Sequence, residues 1–466
     1  MDNLQKKFAP FARRMEAAGL PDIVINTFRY YYDQLLHGQT GFIPENDIEP
    51  VESVPDSETF PDSLAQTGQE ALPHTVMIKL NGGLGTSMGL DRAKSLLKVK
   101  NGLSFLDIIA RQALTANIPL VLMNSFATRD DSLALLRQYP DLQRDHIPLD
   151  FVQHKVPKVA QADLSPVEWP ADPDLEWCPP GHGDIYTALV TSGMLTRLLD
   201  AGYRYAFVSN VDNLGAALDP LILGYFVQND LPFMMEVADR TEIDRKGGHL
   251  ARRKSDGQLI LREAAQCLPD DQPEFQNIQK HKYFNTNNLW LNLPVLKQYL
   301  EEHNYLLGLP MIRNSKTVDP RDSTSTPVYH LETAMGAAIA VFEGAGAVRV
   351  PRTRFAPVKT TNDLLAVRSD AYLLTEDYRI IQNPARKLGQ IVIALDPAVY
   401  RLIDEMEARF PYGPPSLLDC QRLTIVGDVR FGREVVLKGQ VELINPSGSQ
   451  QVIQDFAVLE GLYRWD

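Results

Sequence analysis

Thr75-Val76-Met77-Ile78-Lys79-Leu80-Asn81-Gly82-Gly83-Leu84-Gly85-Thr86-Ser87-Met88-Gly89 passes directly from a short β-rich run into a glycine cluster. Glycines in such a turn let the backbone approach an anion closely, and consecutive N–H groups form a nest for it. The loop matches neither of two familiar phosphate loops. A dinucleotide fingerprint starting at Gly83 requires glycine at 88, where Met88 stands. A P-loop ending in Lys94-Ser95 requires glycine at 88 and 93, where the chain has Met88 and Ala93. Dinucleotide-dependent hydride transfer and P-loop chemistry are therefore both disfavoured. A glycine turn can also be a plain sharp bend. The strand ahead of this one and Lys94 behind it favour phosphate binding.

Working outward, Pro119–Met123 and Tyr205–Ser209 read as further strands, with helical stretches between. One of these helices is expected from Asp184 to Leu199, with Asp184 as its N-cap. Such alternation predicts a doubly wound α/β sheet. Residues 247–261 read as a polar hairpin turning at Ser255-Asp256-Gly257-Gln258. Upstream, residues 1 to about 40 read as two helices. Phe8, Phe11, Met15 and Ala18 recur at helical spacing, Gly19-Leu20-Pro21-Asp22 breaks the run, and a second helix spans Asp22–Leu36. Residues 44–73, rich in Pro, Ser, Asp and Glu, are expected to form an extended connector with no packed element. Near the other end, Leu423, Val429, Val435 and Val441 are spaced six apart, as are Ile425, Phe431, Leu437 and Leu443. Two such columns mark a parallel β-helix, with Gly427, Gly432 and Gly439 near its corners, although chance spacing can mimic the pattern. The register fades after Asn445-Pro446-Ser447-Gly448. Three units are expected: 1–73, 74–375 and 376–466.

The 466 residues carry a net charge of −13, which argues against wholesale binding to nucleic acid or to an anionic membrane. Mean hydropathy of −0.20 and no long apolar run exclude a membrane-spanning helix. The residues after Met1 include no apolar core of a signal peptide. Cys178, Cys267 and Cys420 lie far apart and make neither a CxxC pair nor a zinc spacing, so a reducing, cytoplasmic setting is expected.

The loop also carries a resemblance. Lys79 to Gly89 resembles the signature of the eukaryotic-type UTP–glucose-1-phosphate uridylyltransferases, or UDP-glucose pyrophosphorylases. Further stretches agree in order: Phe151–Lys158, Pro179–Leu189, Phe207–Ala216, Thr241–Leu250, Phe284–Trp290 and Arg354–Leu365. One departure is Ala93, where the family usually has proline before the loop lysine. The resemblance implies an α/β fold: a nucleotide-diphospho-sugar transferase (Rossmann-like) mixed-sheet core with a C-terminal left-handed parallel β-helix. It implies Mg²⁺-dependent, reversible synthesis of UDP-glucose and pyrophosphate from UTP and glucose 1-phosphate. A rival is a related enzyme preferring galactose 1-phosphate or an N-acetylhexosamine 1-phosphate, the latter disfavoured by Ser87-Met88-Gly89. A non-catalytic nucleotide-sugar sensor is disfavoured because Lys94, Asp212 and Lys359 are all present. The C-terminal unit joins subunits in some members, so a homo-oligomer is a possible outcome.

Residue by residue, the resemblance assigns Lys94 and Lys359 to phosphates, Asp212 to Mg²⁺ and His182 to a phosphate. Gly83, Gln153 and Gly181 would hold the uracil, and Leu80 and Gly82 would also bind substrate. Asn210, Gly248, Glu263, Phe284, Asn285 and Asn287 would surround the sugar. Each has a plainer reading: a surface lysine, a loop-capping aspartate, a loop histidine, and an Asn-rich turn over 285–288.

Overall fold

The computed structural model describes residues 3–144 and 146–465; Met1 and Asp2, at the head of the expected N-terminal helices, lie outside them. Helices α1 (Asn3–Ala17) and α2 (Asp22–Leu36) form where the spacing predicted them. Phe8, Phe11 and Met15 are buried against Phe28, Tyr32, Val156 and Leu331. Ala18, the last residue of the pattern, is exposed in the turn beyond α1.

The expected connector over 44–73 is a correction. It contains strand β1 (Ile48–Pro50) and helix α3 (Ser63–Ala71). The helix forms because it nests backbone to backbone on a later helix, Pro220–Gln228. A Cβ at Gly68 would lie 1.7 Å from the Pro220 carbonyl oxygen, and one at Gly224 would lie 1.9 Å from that of Leu64. Only glycine permits that approach.

The central sheet has ten strands among the described residues. They are β1, β2 (Thr75–Asn81), β3 (Leu120–Asn124), β4 (Asp150–Val152), β5 (Tyr205–Asn210), β6 (Phe233–Asp239), β7 (His249–Arg253), β8 (Leu259–Arg262), β9 (Tyr283–Asn292) and β10 (Gly346–Arg349). Their main order is β1-β7-β9-β5-β2-β3-β4. The run β5-β2-β3-β4 is parallel, whereas β9 is antiparallel to β5 and to β6. The sheet is therefore mixed. Val76, Ile78 and Val208 pack into one apolar cluster, while Met77, Leu120 and Leu122 pack into another with Leu106 and Ile109. With both faces covered, the strands read as nearly continuous apolar runs. The hairpin β7–β8 turns through Gly257 at φ 74°, as expected.

The helix expected over 184–199 is two helices, Ile185–Thr191 and Met194–Asp200, broken at Gly193 with φ 73°. Asp184 makes no cap hydrogen bond to the helix, because its carboxylate is engaged elsewhere.

At the C-terminus, β11 (Val392–Leu395), β12 (Ser416–Val426), β14 (Val436–Ile444) and β16 (Val458–Arg464) form one parallel sheet. β13 (Val429–Phe431) and β15 (Gln451–Ile453) form another. All eight residues of the two columns are buried. Residues six apart do not pair; Leu423 faces Val441 and Ile425 faces Leu443 across a parallel ladder. Gly427 and Gly432 lie at strand ends, but Gly439 sits inside β14 at a register shift, with φ 59°. The ladders also continue past Gly448 through β15 and β16, where Ile453 and Leu459 are buried. The pattern fades in sequence because the first column meets Ser447 before it resumes at Ile453 and Leu459, while the second runs into Ser449, Asp455 and Gly461. This core joins the catalytic half: Met88, Leu97, Leu214 and Val358 belong to the same apolar cluster.

Candidate active site

The parallel strands β2 and β5 end side by side, with Leu80 paired to Asn210. Ligands of such sheets collect beyond these carboxyl ends. Both chains turn there, and Val211 donates to the Leu80 carbonyl at 3.1 Å. The result is a cleft of about 410 Å³ lined by Leu80, Gly82, Gly83, Lys94, Gln153, Gly181, His182, Asn210, Asp212 and Glu332, among others.

Each glycine of the cleft has its own reason. A Cβ at Gly82 would lie 2.9 Å from Gln153 Oε1, so Gly82 makes room for the amide. Gly83 has open space where a side chain would be. Gly181 has φ 82°, and a Cβ there would meet the Thr333 carbonyl oxygen at 2.4 Å. The loop closes when Lys94 donates its N–H to the Gly83 carbonyl at 3.1 Å. Ala93 sits at φ −52° and ψ 123°, a conformation proline also adopts, so the loop keeps its shape without the family's proline.

Lys94 Nζ lies 2.6 Å from Asp212 Oδ2, and both side chains are largely shielded, at 13% and 19% exposure. Val358 donates to the Asp212 carbonyl at 3.1 Å, and Asn213 bridges to Pro357. These bonds tie the segment that bears Lys359 to the segment of Asp212. Lys359 is exposed, with Nζ 5.9 Å from the Phe355 ring centre. It lines a second cleft of about 480 Å³ together with Phe284, Gly247 and Lys246. The plainer reading of a solvated lysine therefore fits the Lys359 side chain, and what ties its segment to the first cleft is the backbone bond from Val358 to Asp212.

His182 accepts the Met335 N–H on Nδ1 at 2.9 Å, so the neutral ring carries its proton on Nε2. Burial pushes its pKa down to about 4, against a smaller opposing pull from Glu332. It is thus a neutral hydrogen-bond donor. Of the residues expected around a sugar, Gly248, Glu263, Asn285 and Asn287 come together, whereas Asn210 lines the first cleft and Phe284 the second. A Cβ at Gly248 would lie 2.5 Å from Glu263 Oε2. Asn285 donates through Nδ2 to Asn287 Oδ1 and through its N–H to the Gly248 carbonyl. Asn287 has φ 58°, so the turn expected over 285–288 is a bulge inside β9, opposite a register shift between Glu236 and Val237. Burial raises the Glu263 pKa, offset by the Asn285 hydrogen bond and by Lys359.

The uridylyltransferase profile "UTP–glucose-1-phosphate uridylyltransferase" matches residues 25–438. The chain belongs to this family. It is 42% identical to the UTP–glucose-1-phosphate uridylyltransferase of Solanum tuberosum, over 84% of this chain and 81% of that one. Identity to the Saccharomyces cerevisiae protein of the same name is 40%, over 84% and 78%. A mutant UDP-glucose pyrophosphorylase from Leishmania major superposes with a TM-score of 0.92 at 43% identity, covering all of both chains. Another mutant of it, solved with UDP-glucose, gives a TM-score of 0.91 at 44% identity, covering 98% of this chain and 99% of that one.

Three features of this uridylyltransferase-family site escaped the sequence. Asp184 accepts from the His154 N–H at 2.7 Å and lies 2.9 Å from His154 Nδ1, which locks the segment just beyond β4, where Gln153 lies, to the segment carrying His182. Lys79, wholly buried in β2, donates to Ser209 Oγ at 2.6 Å and to the Ala216 carbonyl at 2.8 Å. Burial first, then Arg354, lowers its pKa to about 7, with Glu236 opposing. The signal for it was visible, since a lysine within an apolar strand must find buried partners. Behind it, Glu236 takes a two-pronged Arg354 and accepts from Asn288 and Trp290. Glu332 is the third, and nothing local in Tyr329-His330-Leu331-Glu332-Thr333 marks it as a cleft residue.

Proposed function

We propose that this protein is a UTP–glucose-1-phosphate uridylyltransferase. A phosphate oxygen of glucose 1-phosphate attacks the α-phosphorus of UTP in line, forming the new P–O bond as the bond to pyrophosphate breaks. The nucleophile is already an anion, so the protein's task is alignment and charge neutralisation. The observation that carries this reading is the Lys94–Asp212 pair at the ends of β2 and β5, hydrogen-bonded through Asp212 to the segment bearing Lys359.

In this reading Lys94 and Lys359 neutralise the triphosphate from two sides. His182 donates from Nε2 to a phosphate oxygen. Gln153 reads the uracil edge over Gly82 and beside Gly181, while Leu80 packs at the ribose end. Asn210, Gly248, Glu263, Phe284, Asn285 and Asn287 surround the glucose hydroxyls, where an unmatched epimer would leave buried polar groups unpaired.

Asp212 suits Mg²⁺. Among the described residues no group of three or more His, Cys, Asp or Glu converges, so a cage made by protein alone is not available. A lone carboxylate is the donor set of a cation that takes its other ligands from water and substrate phosphates. Bound there, Mg²⁺ would screen the charge on the reacting phosphates.

The boundaries 1–73, 74–375 and 376–466 are part of the same proposal, with 1–73 seated on the central unit through β1 and α3, as is a left-handed β-helix at the C-terminus, supported by the two buried columns. Phe456, Val458 and Leu462 are exposed on and beside the edge strand β16, which supports assembly through that end. Three buried, free thiols suit a cytoplasmic setting. The test is pyrophosphate release and UDP-sugar formation across sugar 1-phosphates and nucleoside triphosphates, with and without Mg²⁺. UTP and glucose 1-phosphate should be the preferred pair. A preference for galactose 1-phosphate or N-acetylhexosamine 1-phosphate would reassign the sugar, and equal use of ATP or GTP would overturn the base assignment.

A further inference from the structure

Glu332 is a carboxylate in a cleft that the preceding reading fills with a triphosphate. An ionised carboxylate accepts hydrogen bonds and donates none. Phosphates offer it nothing but repulsion, so its charge is met by water, by a protein partner or, once the cleft is filled, by a substrate donor. Neutralisation is poor. Oε2 accepts from Asn314 Nδ2 at 2.9 Å, a neutral partner. Among the described residues Oε1 has the His330 ring nitrogen alone, at 3.5 Å. The side chain keeps 27% exposure and lines the same cleft as Gly83, Gln153 and Lys94.

Its position along the nucleotide follows from its neighbours. Glu332 precedes Thr333, whose N–H donates to the Pro180 carbonyl at 2.9 Å, so its strand is laid alongside Pro180–His182. A Cβ at Gly181 would touch Glu332 Cβ at 3.1 Å. Gly181 belongs to the uracil end and His182 to the phosphate end, and Glu332 acts on both. What lies between base and α-phosphate is the ribose. Its two hydroxyls are donors in need of an acceptor, and the Gln153 amide already suits the uracil edge.

We propose that Glu332 accepts the ribose hydroxyls of the nucleotide and is the residue that separates UTP from its deoxy counterparts. This rests on the uridylyltransferase reading and adds a specificity determinant to it. A hydrogen bond to a charged group is worth roughly ten- to a hundredfold in a binding or rate ratio.

The test measures kcat/KM for UTP, 2′-deoxy-UTP and 3′-deoxy-UTP with glucose 1-phosphate, for the full chain and for Glu332→Ala and Glu332→Gln. The unaltered protein should prefer UTP to at least one deoxy form by roughly ten- to a hundredfold. Glu332→Ala should bring that ratio close to one by losing UTP efficiency, not by gaining deoxy efficiency. The isosteric Glu332→Gln, which keeps the strand packed, should lose part of the ratio with an unchanged melting temperature. A merely structural role would lower all three substrates equally and leave the ratio intact. That outcome, or an unaltered protein indifferent to both deoxy forms, overturns the proposal. A chain that makes no UDP-glucose from UTP at all would overturn the underlying reading, a result distinguishable from the first because it appears before any substitution is made.

Discussion

Lys94 and Asp212 hold each other at 2.6 Å where the reacting phosphates would lie, so loss of either leaves the other unpaired in a shielded place. Lys94→Ala should reduce turnover by roughly 10²–10³-fold, the scale for one aligned donor to developing charge. Lys359→Ala should act similarly, and a loss below about threefold would return that lysine to the solvated surface. Asp212→Asn should abolish nearly all UDP-glucose formation while circular dichroism shows the chain still folded; normal rates would remove Asp212 from the site. His182 gives a pH prediction. Its folded pKa of about 4 lies below the ordinary 6.5, mainly through burial. The unfolded chain therefore binds a proton there, below pH 6.5, that the folded chain refuses. The stability it contributes is complete above 6.5 and is lost as pH falls from 6.5 towards 4. Buried His249 and His281 shift in the same direction. Melting temperature should fall across that window, and less steeply in His182→Gln.

At the scale of elements, the contact of α3 with Pro220–Gln228 shows how a polar, turn-rich stretch becomes a packed helix. Two glycines let the helices meet through their backbones, and Ala71 joins Ile222, Leu223 and Phe226 in one apolar cluster. Gly224→Ala should cost about 1–3 kcal/mol, the usual range for overpacking, read as an earlier denaturant midpoint. The KM for UTP in the folded fraction should not change, because neither helix lines the cleft of Lys94 and Asp212. A variant as stable as the parent would show that the two helices can separate without penalty.

For the whole molecule, the catalytic sheet and the C-terminal ladders share apolar packing through Met88, Leu97, Leu214 and Val358. Damage to the C-terminal core should therefore reach overall stability. Val435 is 1% exposed, so Val435→Asp buries an unpaired carboxylate at a cost of several kcal/mol. The variant should melt earlier or change its mass in solution, and unchanged melting and mass would mean that the column does not form a core. Exposed Phe456, Val458 and Leu462 locate the face on which an assembly would be sought, and Leu462→Lys should reduce any association without touching turnover.

The strands β2, β3 and β5, the hairpin β7–β8, the two N-terminal helices and the buried six-residue columns were legible in the sequence. Each is set by a local period or by turn residues close together in the chain. The shape of the glycine loop was legible because left-handed turns such as Gly85 at φ 69° and Gly89 at φ 82° admit few residue types. What the chain could not show locally came from distant partners. Asp184, read as a helix cap, is held by His154 thirty residues away. Lys94 meets Asp212 across 118 positions, and Glu332 reaches the cleft only because its strand lies along Pro180–His182. The helix within 63–71 exists because a glycine-faced helix far along the chain receives it. Short-range order follows from periodicity and φ preference, which neighbouring residues carry themselves. Long-range pairing depends on where the folded sheet brings the ends of its strands, and only the tertiary structure decides that.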